Sequence, residues 1–528
     1  MKTLLKAVFG IAGKPFDVSL NDEEIVWSPK FSEKKGSKKK QYAVSTRSLK
    51  LLDLIGAMIK KRKSLKSPMT RGELVGVAVF TYSKNKDRTL SETNMVLECT
   101  DEDSCQHWVT AINDKLKSFP HRPKMLKVII NPYSKKGKAP HVYYNSVSKL
   151  FHRAGIRTDI MLTERAGHAW DYLRSATDLS SYDGVVCVGG DGIVHEVVNG
   201  ILENTHAMEG LDVTCEALPE DFKAITPDMR IGIIPAGSTD VIAFSGLGTN
   251  DPTTAAINIA LGPSQSLDIC SLESANRLVR FAFSLAYGFL GDVLKSSEQS
   301  RWLGPKRYKW AAVKRMCRLK SYEVEINYLV STDTESHPRD EQRCRRGCKT
   351  CEKPDATDEK IESGEWQTFR GPVVGVSLIT LPSPCDISPD GASPCCHLGD
   401  GYTDMIIVRA CTTAEMYAHV QRNFNRKDQF DFDFVNVHRI KQCYIRAISD
   451  PEQATQNESN NQSDSARSRL VDGRAIPLPR KISRHPSGVW NVDGELLEEP
   501  SLLVRVHRKL ITVFGQGIED IPETKGCF

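Results

Sequence analysis

The sequence contains no apolar run long enough to cross a bilayer. Its longest such stretch, Phe281 to Leu290, is interrupted by Ser284 and falls well short of the roughly 20 residues that a membrane-spanning helix needs. The amino-terminal MKTLLKAVFGIAG is only weakly similar to a signal peptide, because Lys6 interrupts its apolar part and a strand-like segment follows. We therefore expect neither a membrane span nor secretion, so a membrane-resident ligand would be reached by peripheral docking.

A large excess of charge of one sign is also missing. The 528 residues carry a net charge of +5, which is small for this length and argues against a general nucleic-acid binder. The 15 cysteines are odd in number and scattered, so they indicate free thiols in a reducing compartment rather than a disulfide framework. The length predicts two or three domains, each able to bury its own core.

The most informative stretch that is present is YDGVVCVGGDGIVHEVVNG, residues 182–200. Val185 to Val188 predict a buried strand, and apolar residues at helical spacing follow it. The turn between them has little side-chain bulk, so its backbone can approach a phosphate, and the helix N-terminus adds unpaired N–H groups. A plain tight turn with a capping aspartate is the alternative. The residues of this turn are Gly189, Gly190, Asp191 and Gly192.

Two more turns have the same design. The apolar run Leu126 to Ile130 ends in NPYSKKGK, and the run Ile231 to Ile234 ends in PAGSTD; each turn precedes a helix-like pattern. Three such strand-turn-helix units predict a parallel α/β sheet whose ligand lies at the carboxyl ends of its strands. All three turns fall at those ends, and Asp191 offers a carboxylate there, so the combination suggests phosphoryl transfer.

These segments resemble a known family. NPYSKKGKA, TERAGHA, GGDGIVHEVVNG, PAGSTD and the late VDGE, in this order, are similar to the five characteristic regions of the diacylglycerol kinase catalytic domain shared by lipid kinases. NAD kinases share only the GGDG turn. Within the group the likeness is greatest to ceramide kinases, because the spacing of Cys344, Cys348 and Cys351 resembles a feature of those enzymes. The resemblance covers roughly residues 10 to 525.

The resemblance and the sequence pattern together imply a multidomain α/β plus β architecture. Residues 1–121 are expected to form a pleckstrin-homology-like β-barrel that docks on membranes, since short alternating segments precede a helix from Ser104 to Leu116 that contains Trp108. Residues 122–262 would form the α/β nucleotide-binding lobe with the GGDG turn. Residues 263–528 would form a β-rich, lipid-binding sandwich lobe with disordered insertions near 331–365 and 450–487.

Basic residues in the first 120 positions suggest how such docking would work. They cluster in two predicted loops, and several lysines near an anionic surface together hold a protein on a phosphoinositide membrane at about 1 kcal/mol each. A solvated lysine loop without a ligand is the alternative. The clusters are Lys34, Lys35, Lys38, Lys39 and Lys40 in one loop and Lys60, Lys61, Arg62 and Lys63 in the other.

The chemistry implied is transfer of the γ-phosphate of ATP, with Mg²⁺, to a primary alcohol, which needs a carboxylate to accept the hydroxyl proton. The resemblance favours Asp191 as this base, because the aspartate of the same turn has that role in sphingosine kinases. The alternative is Asp493 with Glu495, since the DGE carboxylates of bacterial relatives are implicated in catalysis or metal-nucleotide binding. His195 is expected to be a packing or hydrogen-bonding residue.

The resemblance also implies the nucleotide contacts. The first loop departs from the family, since Ser134 and Lys135 stand where glycine is frequent. The implied contacts are Asn131, Pro132 and Tyr133, then Thr163, Glu164, Arg165, Ala166 and Gly167, then Glu196, Gly237 and Ser238, the arginines Arg301 and Arg307, and Asp493, Gly494 and Glu495.

The resemblance implies fewer contacts with the lipid substrate. The GGDG turn, Gly189 to Gly192, would meet the substrate, and Asp292 lies close to where the family has an acidic residue that holds the sphingoid head group. The three clustered cysteines predict either a metal site or a structural, redox-sensitive loop. A zinc site would need a fourth ligand, for which His337 and Cys385 are candidates.

Three functions follow from this pattern. The first is a cytoplasmic, membrane-associated ceramide kinase that makes ceramide 1-phosphate at the Golgi or plasma membrane. The second is a sphingosine or diacylglycerol kinase, and the third is a non-catalytic lipid-binding relative. The cysteine cluster disfavours sphingosine kinases, and missing paired Cys/His fingers disfavour the usual animal diacylglycerol kinases. Calcium or calmodulin control is implied by the family, although we find no compact basic amphipathic helix to bind calmodulin.

Overall fold

The architecture is a mixed α/β protein with two large sheets. This computed structural model describes residues 3–30, 46–62, 72–213, 217–218, 222–275, 277–300, 306–330, 337–354, 365–384, 388–425, 428–448, 468–471, 474–477 and 488–519. Within that part of the chain, no helix combines the length and apolar character needed to span a membrane.

The amino-terminal unit is one antiparallel seven-stranded sheet followed by a helix. In space the strands run in the order β4-β3-β2-β1-β7-β6-β5. In chain order they are β1 (Thr3–Ile11), β2 (Lys14–Asn21), β3 (Glu24–Pro29), β4 (Arg47–Lys50), β5 (Leu54–Arg62), β6 (Glu73–Lys84) and β7 (Leu90–Glu98), followed by helix α1 (Glu102–Lys117).

Helix α1 closes the core of this unit, as its sequence predicts. Its N-cap Asp101 accepts a hydrogen bond from the Ser104 backbone N–H at 3.1 Å, which satisfies one of the free donors of the first turn. Trp108 is 2% exposed and packs edge-to-face on Phe9, with the ring centroids 5.0 Å apart. The sheet path ends at β4 and β5, so the described strands do not close it, and the pleckstrin-homology-like barrel stays a prediction.

The structure describes only part of the second of the two predicted lysine clusters. The first, Lys34 to Lys40, lies outside the described residues, as does Lys63. The sequence predicted a loop for Lys60, Lys61 and Arg62, but these residues lie at the end of strand β5. The sequence pattern did not predict this strand, because its charged end follows an apolar run. Lys61 pairs with Glu102 at the start of α1, with its Nζ 2.6 Å from the carboxylate.

The α/β lobe contains four parallel strands in the order β11-β10-β8-β9, one more than the three predicted. The strand that the pattern missed, β9, is an edge strand whose exposed, partly polar sequence lacks a continuous apolar run. The strands are β8 (Met125–Ile130), β9 (Arg157–Leu162), β10 (Gly184–Gly189) and β11 (Arg230–Pro235).

Helices cover both faces of these strands. Val185 and Cys187 pack with helix α5 on one face, while Val186 and Val188 pack with α3 and α7 on the other, so β10 is apolar at every position. The helices are α2 (Ala139–Val142) and α3 (Ser148–Arg153), joined by a π-type turn (Tyr143–Val147), then α4 (His168–Ser175), α5 (Asp191–Met208), α6 (Val241–Leu247) and α7 (Pro252–Leu261).

After residue 262 the chain is mainly β, as predicted. The helices here are α8 (Phe289–Glu298), α9 (Lys306–Met316), α10 (Lys349–Glu352) and α11 (Thr413–Asn425). The strands are β12 (Ser264–Ser274), β13 (Arg277–Ala282), β14 (Ser284–Gly288), β15 (Tyr322–Val330), β16 (Trp366–Ile379), β17 (Thr403–Arg409), β18 (Val435–Ala447), β19 (Ser468–Val471), β20 (Arg474–Pro477), β21 (Trp490–Val492), β22 (Glu495–Leu497) and β23 (Ser501–Phe514).

The two lobes share one 14-stranded sheet. The last strand, β23, pairs in parallel with β11 of the α/β lobe and antiparallel with β12 and β18 of the β-rich lobe. Strands β16 and β18 are long: each pairs with β15 along one half and with β17 along the other. Strand β18 is continuous from Val435 to Ala447. The shared sheet therefore joins the β-rich lobe to the α/β lobe through β23, which pairs with Arg230 and Ile231 at the start of β11.

The predicted disordered insertions are partly described. Within the first, residues 337–354 differ from the prediction, because their polar groups have partners: Arg343 pairs with Asp390 at 2.9 Å, and the Arg346 N–H donates to Ile518 O at 2.9 Å. In the second, only the pair β19 and β20 is described; the rest of both segments lies outside the described residues.

Asn199 of α5 gives a test of how the lobes are joined. Its side-chain amide donates to Phe281 O at 3.0 Å and accepts from Phe281 N–H at 2.7 Å, so it continues the hydrogen bonding of β13. Asn199→Ala leaves these buried groups unpaired and should lower the free energy of unfolding by about 1–3 kcal/mol per group. Chemical denaturation measures this. Asn204→Ala on the same helix, where water reaches the side chain, should cost less; equal costs would contradict the account.

Candidate active site

Four turns meet at one edge of the parallel sheet. Strands β8, β9, β10 and β11 run in the same direction and in register, so the segments that follow them lie side by side. These segments are NPYSKKGK, TERAG, GGDG and PAGSTD, which the sequence singled out. The predicted meeting of the first, third and fourth turns is therefore confirmed, and the TERAG segment joins them through β9.

The GGDG and PAGSTD turns touch through their glycines. A Cβ on Gly237 would lie 2.4 Å from the Gly190 Cα, and one on Gly190 would lie 3.1 Å from the Gly237 Cα. The close neighbour is backbone in both cases, so a side chain at either position would force the turns apart. The glycines thus bring two backbones together and leave a surface free of side chains.

Asp191 connects these same two turns. It begins α5, and its carboxylate accepts hydrogen bonds from the Thr239 hydroxyl at 2.9 Å and from the Ile242 backbone N–H at 3.0 Å. Burial raises the pKa of Asp191 above its ordinary value, and the charge of Asp493 raises it further, while these hydrogen bonds oppose the shift. A carboxylate with a raised pKa is a stronger proton acceptor than an ordinary aspartate.

Asp240 is a second carboxylate here that the sequence reasoning did not single out. It lies at the N-terminus of α6 in the left-handed region, with φ 52°, and its Oδ1 accepts from the Gly237 N–H at 2.8 Å. Burial and the charge of Asp191 raise the pKa of Asp240 to about 6. The sequence could have identified it, because Asp240 is the last residue of the PAGSTD segment.

Glu196 has a positioning role at the TERAG segment. Both of its carboxylate oxygens accept backbone hydrogen bonds, from the Gly167 N–H at 2.9 Å and from the Ala169 N–H at 3.1 Å. It therefore caps the start of α4, whose N-cap Gly167 adopts φ 75°. Along the rest of the segment, Thr163 is buried, while Glu164, Arg165 and Ala166 are exposed.

The first turn is held by its asparagine. Asn131 Oδ1 accepts from the Tyr133 N–H at 3.0 Å, which bends the chain around Pro132 and leaves the Tyr133 ring 71% exposed. Lys135 and Lys136 adopt φ values of 50° and 59°. Glycine would adopt these conformations without strain, and Lys135 is one of the two positions, with Ser134, at which the family resemblance implies glycine.

The DGE segment is a tight hairpin. Asp493 and Gly494 connect β21 to β22 with φ values of 46° and 89°, the two positive φ values that favour Asp-Gly in a two-residue turn. The Asp493 carboxylate accepts from the Ser284 N–H and hydroxyl on one oxygen, at 2.8 and 3.0 Å. Its other oxygen accepts from the Phe283 N–H at 2.9 Å and lies 3.4 Å from His195 Nδ1.

Asp493 therefore already has four protein partners, and its side chain is 3% exposed. A carboxylate offers about four acceptor positions, so this one joins the hairpin to β14 and to α5 with little capacity left for a ligand. Glu495 differs from it, because its side chain is 45% exposed and pairs with Arg280 at 2.8 Å.

The remaining candidates lie around helix α8. Asp292 accepts a hydrogen bond from the Tyr322 hydroxyl at 2.5 Å. Arg307 contacts Glu298 and Tyr308 within the α8–α9 pair rather than one of the four turns. Arg301 lies outside the described residues.

The cysteine cluster is the clearest case in which the structure supplies a residue that the sequence did not. Cys344, Cys348 and Cys351 converge on His397, and the four ligand atoms lie within 4.8 Å of one another. His337 is not part of this group, since its Nδ1 accepts from the Arg339 N–H, and Cys385 lies outside the described residues. His397 lies too far along the chain for a short motif to include it.

Comparison with known proteins agrees with this geometry. The family description "Diacylglycerol kinase catalytic domain" matches residues 125–272, which places the four turns in the catalytic domain of a lipid kinase. The description "Ceramide kinase C-terminal domain" matches residues 283–527. The chain is 36% identical to ceramide kinase from Homo sapiens over 445 residues, covering 80% of each chain. The chain belongs to the ceramide kinase family.

Two further relatives extend the comparison. Ceramide kinase-like protein from Homo sapiens is 29% identical over 549 residues, covering 98% of this chain and 92% of its own length. Sphingosine kinase 1 from Arabidopsis thaliana is 30% identical over 335 residues, covering 61% of this chain and 64% of its own. The first likeness extends through the amino-terminal unit.

The contact between the two turns gives a matched pair of glycine substitutions. Gly237→Ala should overpack the turns and lower the free energy of unfolding by about 1–3 kcal/mol. Gly192→Ala, in the first turn of α5 with nothing within 4 Å of its added Cβ, should leave stability unchanged or raise it slightly. Thermal denaturation of both variants measures this. A Gly237→Ala protein as stable as Gly192→Ala would contradict the proposed packing.

Proposed function

We propose that this protein is a ceramide kinase, which transfers the γ-phosphate of ATP to the primary hydroxyl of ceramide and forms ceramide 1-phosphate. The observation that carries the proposal is the position of Asp191: a half-buried carboxylate with a raised pKa, held between two glycine turns at the carboxyl ends of the parallel strands. Membership in the ceramide kinase family supplies the substrate.

The carboxyl ends of the parallel strands form a suitable site for a magnesium-bound triphosphate. The Gly190–Gly237 contact leaves a backbone surface that a Cβ would fill, and the N-terminus of α5 lies beside it. Magnesium is usually held through one or two carboxylates together with phosphates, and Asp240 is the carboxylate that we assign to it. Bound there, magnesium would neutralise the charge that develops on the transferred phosphoryl group.

The nucleotide would lie along the first and fourth turns. Asn131, Pro132 and Tyr133 present an exposed ring and a fixed backbone, and Gly237 with Ser238 borders the phosphates. The TERAG segment, which Glu196 holds in place, would form the other side of the nucleotide site. Lys135, at a position where glycine is frequent in the family, and its neighbour Lys136 would contribute positive charge to the phosphates.

Asp191 would act as the base. Its carboxylate would accept the proton of the ceramide primary hydroxyl as the oxygen attacks the γ-phosphate, a role worth typically 10²- to 10⁴-fold in rate. The Thr239 hydroxyl and the backbone N–H groups of Val241 and Ile242 orient the carboxylate but leave it an acceptor position for this proton. Asp493, with four partners, would instead position Ser284, Phe283 and His195 behind the site.

The lipid would enter from the β-rich lobe. Helix α8 packs on the β21–β22 hairpin, since a Cβ on Gly291 would lie 2.0 Å from Val489 O. Asp292 on this helix, paired with Tyr322, is our candidate for the head-group hydroxyl or amide of the sphingoid base. The amino-terminal sheet with α1 would dock on an anionic membrane, so that the site faces its substrate.

A sphingosine kinase is the second candidate, favoured by the likeness to the plant sphingosine kinases. Offering ceramide, sphingosine and diacylglycerol separately in mixed micelles, with labelled ATP and magnesium, distinguishes these functions. Preference for ceramide is the expected result. Preference for another lipid would replace the substrate, and no transfer to any lipid by folded protein that binds ATP would indicate a non-catalytic relative.

Replacing each aspartate by asparagine separates the base from the positioning carboxylate. Asp191→Asn should lower kcat by about 10²- to 10⁴-fold with an unchanged melting temperature, because an amide can still pair with Ile242 and Thr239. Asp493→Asn should instead lower the stability by about 1–3 kcal/mol, because its NH₂ would face a backbone donor. Asparagine tolerates the positive φ of that turn. Loss of rate in Asp493→Asn alone, at unchanged stability, would reverse the assignment.

The pH dependence of kcat/KM tests the pair Asp191 and Asp240. Asp191 is a base only when ionised, so its raised pKa should place the acidic limb above the ordinary aspartate value of about 3.9. The coupling is measured without magnesium or ATP, where Asp240 carries its own charge: Asp240→Asn removes this neighbouring negative charge and should lower the pKa of Asp191, which NMR titration of the carboxyl group reports. Asp114→Asn on the surface of α1 is the control, and an Asp191 pKa that Asp240→Asn leaves unchanged would contradict the coupling.

A further inference from the structure

Three cysteines and a histidine form a compact group apart from the proposed active site. Cys344 Sγ lies 3.7 Å from Cys351 Sγ, and Cys348 Sγ lies 3.2 Å from His397 Nδ1. The cysteines are free, so no disulfide accounts for their approach. Cys344 and His397 are 6% and 2% exposed. Thiols are weak hydrogen-bonding groups, and they offer a buried imidazole little stabilisation.

From this geometry we propose a structural Zn²⁺ site with Cys344, Cys348, Cys351 and His397 as its four ligands. Zinc binds thiolate sulfur at about 2.3 Å in a tetrahedron, which sets neighbouring sulfurs about 3.8 Å apart, close to the observed spacing of Cys344 and Cys351. Three thiolates and one imidazole fill all four positions. The site therefore has no open position for a substrate, and its role is structural rather than catalytic.

The surrounding structure holds both halves of the group in place. On the cysteine side, Arg508 donates to Cys351 O at 3.1 Å. On the histidine side, Arg508 Nε donates to Gly399 O at 3.1 Å, and the Asp268 N–H donates to Leu398 O at 2.8 Å. Strands β12 and β23 thus carry the anchors for both segments, so the ligands are brought together by the fold before a metal binds.

The imidazole of His397 gives a second indication. Its Nε2 is buried and has no hydrogen-bond partner among the described residues, so the ring is oriented only through the side that faces the cysteines. A buried polar ring held in this way costs free energy unless a stronger ligand binds it. A bound metal ion would supply that interaction.

The site would connect an insertion to the catalytic lobe. Cys344 and Leu398 belong to the same apolar core as Ile242 and Ile193, which flank Asp191 on α6 and α5. Ser383, in the loop that follows β16, donates its N–H to the Ser245 hydroxyl of α6 at 3.2 Å. Zinc would therefore fix residues 344–351 and the His397 loop against the packing that supports α6.

Metal analysis of the full-length chain, with any affinity tag removed, tests the proposal directly. The expected result is one zinc per chain that remains after gel filtration in a chelating buffer and leaves when a mercurial modifies the thiols, as a metal-sensitive dye reports. Replacement by Co²⁺ should give the thiolate-to-metal absorption of a tetrahedral site. Folded protein that holds no zinc, and in which the three cysteines of the group react with a thiol reagent as fast as the exposed Cys317, would overturn the proposal.

Substitutions locate the metal. His397→Cys retains four ligands and should keep the zinc, whereas His397→Ala and Cys348→Ser should lose it and lower the melting temperature. Cys317→Ser, at an exposed cysteine outside the group, is the control and should change neither. If the ligand variants fail to fold, the metal content of the unaltered chain still decides. Zinc retained by both Cys348→Ser and His397→Ala would place the metal elsewhere and contradict the site.

Discussion

Helix α5 carries a series of buried and half-buried polar side chains, and the need to hydrogen-bond each of them determines how the surrounding elements are placed. Asp191 at its start binds the N-terminus of α6, and Glu196 binds the start of α4. His195 faces the DGE hairpin, and Asn199 pairs with β13 of the other lobe. Glu203 accepts from the Trp170 indole at 2.9 Å. One helix thus aligns both lobes around the proposed site.

The same constraint separates carboxylates that look equivalent in the sequence. Asp191 lies between glycines in the GGDG turn, and Asp493 precedes a glycine in the DGE segment, so each motif fits a catalytic role. Their surroundings differ: Asp493 uses its four acceptor positions on Phe283, Ser284 and His195. Asp191 accepts from Thr239, Val241 and Ile242 and retains an acceptor position. Burial without full pairing is what raises the pKa of Asp191, and it leaves that carboxylate able to accept a proton.

The sequence predicted the features that depend on local pattern. The strands β8, β10 and β11, the glycine turns after them and helix α1 follow from apolar spacing and turn chemistry, and all are present. Strand β5 was not predicted because its charged end obscures the alternation of apolar and polar residues. Strand β9 was not predicted because it is an exposed edge strand without a continuous apolar run. Asn199 and His397 were not predicted because their partners, Phe281 and the cysteines, are distant in sequence and meet only through the shared sheet. Asp240 was predictable as part of PAGSTD.

A crystal structure with magnesium and a non-hydrolysable ATP analogue would show where the nucleotide binds. We expect the phosphates against the Gly190–Gly237 backbone at the carboxyl ends of the parallel strands, with Asp191 facing the γ-phosphate and Asp493 still bonded to Phe283 and Ser284. A nucleotide bound away from these strand ends, or an Asp493 carboxylate that has left Phe283 and Ser284 for the metal, would contradict this account.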